Sequence, residues 1–395
     1  MSIRGPSTLL AIAAGLLSCG SASGQTVASL PVLTGVQLSK SYAISLNTSG
    51  GLTNWLSVEG ATGLLMQYPA GQTWGSVFIT YGPAVSTNRP GLDVSAYQSL
   101  VLELSGDAGT TVAIGIKDAT QLDDGSETTV PVQISGDWQT YAIPLTKFTG
   151  ANRTDIYVVT EFVFSGSKAQ TLWVRNIEFS AATTGILPQF VFGGGWYSAL
   201  YFTNTGGAAV SVPVSFVSDN GTPMSIPAVG ASTTVSLAPR GSARIEAPNT
   251  GDLTQGYVTA ALPYGVTGYG VFRQSSAGIP DQEAVVPFSG SLARTSTLIW
   301  DDTIAVTAVA MVNPSSVDAT VAITVRDGTG QTIGTSSVAL PSKTKSAVVL
   351  RTLPGLAGMA GNWGSADFSV TTGSVAVLGL RFNGQALTSI PTADR

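Results

Sequence analysis

Two passages in the second half of this chain repeat each other, and they constrain its architecture more tightly than any other feature. "LYFTNTGGAAVSVPVSF", ending at Phe216, returns as "VAMVNPSSVDATVAITV", ending at Val325. Both set an Asn after an apolar run, then small residues, then a Val-alternating strand. Asn204 and Asn313 stand 109 positions apart, and so do Gly270 and Gly379 in "GYGVFRQ" and "VLGLRFN". Between them "LAPRGSARIE" resembles "LPSKTKSAVV" at a slightly shorter offset, which implies a change of loop length. Two matches at one offset identify a duplicated unit, and two copies are too few for a solenoid. The copies are assigned to residues 187–293 and 294–395. Each is near the ~100 residues of an immunoglobulin-like sandwich. The alternation in "AVSVPVSF" and "ATVAITV" reads as half-buried strands. Pro213 within its strand predicts an edge or a bulge. Helix signals are almost absent, apart from a single turn near Leu353 to Ala360.

Composition extends the all-β reading to the whole chain. Of 395 residues 46 are Gly and 20 Pro, only 10% are charged, and turn signals recur every ten or so residues. The net charge of −5 is mild and the Lys and Arg are scattered, so nucleic acid is not expected as a partner. Residues 1–24 read as an export signal: Arg4 supplies the charge, Leu9 to Leu17 the short apolar core, and cleavage after Gly24 sets Ala22 at the −3 position. A second reading competes, because "LLSC", Leu16 to Cys19, resembles the bacterial lipobox and would make Cys19 an acylated, membrane-tethered first residue. No later apolar run approaches the ~20 residues of a membrane span. The expectation is a secreted, extracellular protein, with a cell-envelope lipoprotein as the alternative. Cys19 is the only Cys and His is absent. Ser-His-Asp triads, catalytic thiols in the mature chain and His-ligated metals are therefore excluded, and an exported chain without disulfides must be held by core burial.

Residues 25–39 read as a leader, 40–181 as one β domain, and "SAATTGIL", Ser180 to Leu187, as a linker. Strand parity within 40–181 separates two faces. In "TTVAIGIKD", Val112, Ile114 and Ile116 share a face and Lys117 opposes them. In "DIYVVTEFVFS", Ile156, Val158, Phe162 and Phe164 share a face, while Tyr157 and Glu161 point the other way. In "TLWVRNIEF", Leu172 and Val174 have a parity that Ile177 and Phe179 lack, so a bulge is predicted near Arg175–Asn176. Trp173 then faces away from the core. The expected outward set is Lys117, Tyr157, Glu161 and Trp173, with Trp74 and Tyr81 on an earlier strand of unassigned face. Flat aromatics beside hydrogen-bonding groups suit a sugar ring: stacking for its C–H face, polar groups for its hydroxyls.

A resemblance follows from a wider set of residues. "LDVSAYQSLVLEL", "DWQTYAIPLTKF" and "EFVFSG…QTLWVRNIEF" resemble the galactose-binding-like jelly rolls, in particular the family 11 carbohydrate-binding modules and the related domain of complex I intermediate-associated proteins. The matching positions are Asp93, Ser95, Tyr97, Leu100, Trp138, Tyr141, Ile143, Pro144, Leu145, Phe148, Asn176, Ile177 and Phe179. The resemblance implies a jelly-roll β-sandwich over about residues 40–181 that binds polysaccharide or a cell-surface glycan. Trp138 is read as opening a strand and capping the core rim. Arg175 departs from the Asp of those relatives and puts in doubt any cation site built on it. The export signal argues against an intracellular assembly role.

Two further clusters are read as structural. "KDATQLDDGSE" gathers Asp118, Asp123, Asp124 and Glu127, which could bind calcium, but it lacks alternate-oxygen loop spacing and reads as a solvated turn. No cofactor is expected. "FGGGW" lacks the Lys and following helix of a phosphate loop, and reads as the turn leading into the first repeat. The C-terminal pair resembles tandem β-sandwich tails of other secreted bacterial proteins, marked by Val271 to Phe288, and suits a spacer or surface-contact role. The expectation is thus an all-β, non-catalytic glycan-binding protein. The alternatives are a structural or adhesion protein without sugar binding and a glycoside hydrolase with two carboxylates, for which no pair is nominated.

Overall fold

Alternation dictates the strands, and the turns between them are set by Gly and Asx residues. The computed structural model describes residues 29–59, 63–278, 280–290, 293–384 and 386–394. Residues 1–24, read from the sequence as an export signal, and Cys19 within them lie outside the described residues. Twelve strands build the N-terminal domain: β1 (Ser29–Thr34), β2 (Gln37–Leu38), β3 (Tyr42–Thr48), β4 (Leu56–Glu59), β5 (Gly63–Tyr68), β6 (Trp74–Tyr81), β7 (Ser99–Gly106), β8 (Thr111–Asp118), β9 (Thr129–Gln133), β10 (Gln139–Pro144), β11 (Ile156–Ser165) and β12 (Gln170–Ser180). They form two facing sheets. One runs β10-β7-β12-β1-β2, with β5 and β4 attached beside β12; the other runs β3-β6-β11-β8-β9. The jelly-roll core lies between them and contains Val77, Ile79, Leu102, Ile114, Ile116, Phe162, Phe164, Leu172, Val174, Ile177 and Phe179. Inward faces of both sheets are apolar at every second residue, which is what a two-layer β-sandwich requires.

The bulge expected in β12 is present. Its register with β7 shifts between Arg175 and Ile177, and Asn176 adopts φ 48°. That extra residue returns both Leu172/Val174 and Ile177/Phe179 to the core.

Two boundaries differ from the sequence reading. Residues 29–34, expected to be leader, form β1 and pair with β12, and Val32 and Leu33 of β1 are core residues. The expected linker is mostly strand: only Ala181 and Ala182 separate β12 from β13 (Thr183–Phe192), which pairs with the strand at Thr254–Leu262. The small residues of this stretch satisfy a sheet as readily as a linker, and pairing decided between them.

The C-terminal half is two sandwiches with one topology. The first has β13, β14 (Trp196–Asn204), β15 (Val210–Ser218), β16 (Ser232–Leu237), β17 (Ser242–Ala247), β18 (Thr254–Leu262), β19 (Val266–Gln274), β20 (Gln282–Pro287) and β21 (Ser289–Gly290). The second has β22 (Thr295–Asp301), β23 (Val306–Val312), β24 (Ala319–Asp327), β25 (Thr332–Leu340), β26 (Lys345–Val349), β27 (Trp363–Ser369), β28 (Ala376–Asn383), β29 (Ala386–Ile390) and β30 (Thr392–Asp394). The sheet orders β16-β15-β18-β13-β21 and β17-β14-β19-β20 recur, nine strands on, as β25-β24-β27-β22-β30 and β26-β23-β28-β29. β15 and β24 even share one burial pattern along all nine residues. β15 is an interior strand, not the edge that Pro213 suggested: Pro213 lies opposite Thr234, just ahead of where β18 begins to pair at Val214. "FGGGW" is the β13–β14 turn, with Gly193, Gly194 and Gly195 all at positive φ, a conformation L side chains avoid. The single helical turn expected near Leu353 to Ala360 appears as two short 3-10 turns, Leu350–Thr352 and Ala357–Met359.

Candidate functional site

The outer face of sheet β3-β6-β11-β8-β9 carries the best-formed array of side chains. On β6, Val77 and Ile79 enter the core, so Trp74, Ser76 and Phe78 face outward by the two-residue period. Strand register sets their neighbours. Asn47, Ser76, Val163, Ala113 and Pro131 form one row across the sheet, and Ser45, Phe78, Glu161, Gly115 and Thr129 the next. Trp74 is 43% exposed at one end of the face. Gly115 makes room for the Glu161 carboxyl, because a Cβ there would lie 2.7 Å from Glu161 Oε1.

Charged residues close the other end. Lys117 Nζ lies 3.2 Å from Asp123 Oδ1 and 3.2 Å from Glu127 Oε2. Arg89 pairs with Asp123, donates to the Gln121 carbonyl at 2.6 Å, and sits over the Tyr157 ring at 5.0 Å. The Tyr157 hydroxyl accepts from Val85 N–H at 2.6 Å and lies 3.0 Å from the Val85 carbonyl. These bonds fasten the segments around Pro83–Arg89 and Gln121–Glu127 to β8 and β11. Beneath them Glu161 is 6% exposed. Burial, then its hydrogen bond to Glu127 and the charge of Glu127, push its pKa up to about 8. Burial also opposes the Glu127 carboxylate, but the hydrogen bond from Glu161 and the Lys117 ammonium outweigh it and hold that pKa below the usual range. The pair thus favours a proton on Glu161 and the charge on Glu127.

The six predicted residues do not share one face. Trp74 is exposed on the outer side of β6. Lys117 and Glu161 are on the same side, but they are buried under the two segments and paired there. Tyr157 is 3% exposed, with its hydroxyl committed to the loop backbone. Tyr81 packs against the core side and meets Tyr42 edge-on at 5.9 Å. Trp173 belongs to the opposite sheet, between Ser105 and Leu65, so its outward direction is away from Trp74, Lys117, Tyr157 and Glu161. Ser45, Asn47, Ser76 and Phe78 were missed. The alternation of "WGSVFITY" carried the signal for two of them once Val77 and Ile79 are set inward.

Trp138 precedes β10 and lies on the outer side of its sheet, not at the core rim. The Arg175 guanidinium covers its ring at 4.2 Å. Arg175 Nε in turn donates to Glu103 Oε2 at 2.7 Å, and Asn176 Nδ2 donates to the same oxygen at 2.9 Å.

The acidic turn is less solvated than its sequence suggested. Asp118 is buried and accepts from the backbone N–H groups of Thr120 and Asn152 at 2.9 and 2.8 Å. Burial opposes its charge, yet these bonds hold its pKa below the ordinary value. Asp123 and Glu127 are taken by Lys117, while Asp124 caps a local turn through Ser126. Among the described residues no group of three or more His, Cys, Asp or Glu could hold a metal ion, and no helix is long and apolar enough to cross a membrane.

Residues 20–181 match the family model for carbohydrate binding domain 30. No curated protein matches the chain. Among solved structures, the chain is similar to a family 30 carbohydrate-binding module of a cellulosomal cellulase of Clostridium thermocellum, at 16% identity and a TM-score of 0.30, over 39% of this chain and 98% of that one. A family 11 module of a cellulosomal cellulase of the same organism shows 18% identity and a TM-score of 0.25, over 40% and 91%. An agarase shows 16% identity and a TM-score of 0.29, over 39% of this chain and 26% of its own. The expectation of a carbohydrate-binding jelly roll agrees with the family match.

Proposed function

We propose that this chain is an exported, non-catalytic polysaccharide-binding protein. Its jelly roll takes the glycan on the outer face of β3-β6-β11-β8-β9, and the two sandwiches act as a spacer or surface-contact module. The match of residues 20–181 to carbohydrate binding domain 30 carries this reading. The chemistry of the face supports it. Trp74 and Phe78 offer rings for the apolar face of a pyranose, and Asn47 and Ser45 offer donors and acceptors for hydroxyls. Glu161 is buried beneath the two segments and Glu127 is paired to Lys117, which suits a binding face better than a hydrolytic pair.

Affinity electrophoresis of the full chain through polysaccharide gels tests the reading. Trp74→Ala and Phe78→Ala should each weaken retention about threefold to tenfold, the value of one aromatic contact at such a shallow site. No reducing sugar should be released. Retention unchanged in both variants would exclude this face. The exported protein should be recovered soluble, beginning near Gln25, and Cys19→Ala should leave its fractionation unchanged; a shift from membrane to soluble fraction would establish the lipid tether instead.

A further inference from the structure

Where the jelly roll meets the first sandwich, the chain leaves a groove of about 540 Å3 lined by Trp138, Gln139, Thr140, Thr205, Arg240 and Tyr264. This volume falls within the roughly 300–1,000 Å3 typical of ligand clefts, which gather at domain interfaces. The groove lies on the sheet opposite Trp74, since Trp138 leads into β10. Its parts are held in place. The Trp138 ring is fixed by the Arg175 guanidinium at 4.2 Å, and Arg175 is fixed by Glu103. Arg240 has a left-handed backbone, φ 55°, and its Nη2 donates to Gln139 Oε1 across the junction at 2.8 Å. Tyr264 is 38% exposed. Only Ala181 and Ala182 join the two domains, so the walls of the groove cannot drift far apart.

The duplication supplies an internal comparison. In the second sandwich Lys343 takes the left-handed position of Arg240, with φ 59°. It too contacts the preceding domain: Tyr257 Oη donates to the Lys343 carbonyl at 2.8 Å. There the position of Thr205 is Pro314, and the turn corresponding to that of Tyr264 is Thr371–Ser374, which carries no aromatic ring. One docking loop therefore serves both junctions, while the ring, the hydroxyl and the guanidinium are gathered only at the first. Arg240 itself helps to dock the first sandwich, but docking alone does not require the ring or the hydroxyl.

We propose that this junction is a second saccharide site, at which a polysaccharide segment stacks on Trp138 or Tyr264. Its oxygens would accept from Arg240, Gln139 and Thr140, and a ligand hydroxyl would donate to Thr205 Oγ1, whose own proton goes to the Gly265 carbonyl at 2.8 Å. It shares only its ligand chemistry with the face on β6, so the two readings fail separately. Two sites on one chain would add avidity on an extended polymer.

The test is affinity electrophoresis of the full chain in gels containing mixed-linkage β-glucan, a neutral polymer, or polygalacturonate, an acidic one. Tyr264→Ala and Arg240→Ala are made in the natural sequence and in a Trp74→Ala/Phe78→Ala background. Each should weaken retention by about threefold to tenfold in at least one polymer, and in the double-variant background the remaining retention should vanish. Tyr264→Ala removes no hydrogen bond across the junction among the described residues, so its loss reports the ligand and not a loosened interface. Junction variants that migrate like their parents in both gels overturn the site, whatever the β6 face does. A natural chain retarded by neither polymer overturns both sites.

Discussion

Asn204 and Asn313, 109 positions apart in sequence, make the same set of hydrogen bonds in the two sandwiches. Asn204 Nδ2 donates to the Ala208 and Ala238 carbonyls at 2.7 and 3.0 Å, and its Oδ1 accepts from Gly206 N–H at 2.9 Å. Asn313 Nδ2 donates to Val317 and, at the position of Ala238, to Pro341 at 2.8 and 3.3 Å, with a further bond to the adjacent Leu340 carbonyl at 2.9 Å, and Oδ1 accepts from Ser315 N–H at 3.1 Å. Both side chains are buried and join two loops at the same end of their sandwich. Asn204→Ala or Asn313→Ala strands these backbone groups and should lower stability by about 3 kcal/mol. Urea melts of the full chain check this, and a change under 1 kcal/mol would show the loops to be held by other contacts.

Glu161 should make the jelly roll less stable as pH rises. Its folded pKa is about 8 against an ordinary 4.5. Between those values the folded chain keeps a proton that the unfolded chain releases, so stability falls with pH through that window. Glu127, held below its ordinary pKa, works in the opposite sense, and its contribution is lost on acidification. Glu161→Gln keeps a donor for Glu127 and removes the titration. Thermal melts between pH 5 and 9 should show a falling Tm in the natural chain and a flatter profile in the variant. Parallel profiles would rule out a proton held on this pair.

Trp138→Ala and Phe164→Ala should differ in cost. Phe164 is fully buried, stacked on Tyr68 at 5.3 Å and edge-on to Trp55 at 5.5 Å. Its removal leaves a core cavity costing about 3–5 kcal/mol. Trp138 is half-buried outside the sheet and its main partner is a guanidinium, a contact worth about 1–2 kcal/mol. Equal losses in chemical denaturation would place Trp138 energetically in the core after all.

The two sandwiches are pinned together by Lys345, whose side chain is 0% exposed and lies 2.9 Å from Asp219 Oδ1. Burial pulls its pKa down, and Asp219 opposes that. Asp219→Ala leaves a buried ammonium without its partner. Asp219 is itself about a third exposed, so the loss should be about 2 kcal/mol, short of the ~3–5 of a fully buried pair. Lys345→Met should cost less than Asp219→Ala. The reverse order in urea melts would mean that the ammonium reaches solvent when unpaired.

The sequence by itself determined the all-β class, the duplication and the bulge in β12. Each is written in local alternation or in spacing along the chain. A shift of parity between Leu172/Val174 and Ile177/Phe179 permits one remedy, an extra residue between them, and Asn176 is that residue. Parity says which side chains oppose one another on a strand. It does not say which sheet the strand joins. In a sandwich the outsides of the two sheets point in opposite directions, so Trp173 on β12 and Glu161 on β11 both face outward and away from each other. Nor does parity reveal what lies over a face. Lys117, Tyr157 and Glu161 read as open to solvent until the Pro83–Arg89 segment and the Gln121–Glu127 turn that follows β8 close over them with ion pairs and backbone hydrogen bonds. The groove between Trp138 and Tyr264 has no sequence signature at all. It exists because only two residues separate β12 from β13, and because the first sandwich docks through Arg240. Long-range pairing and docking sum many weak contacts across the chain, and only the tertiary structure decides among them.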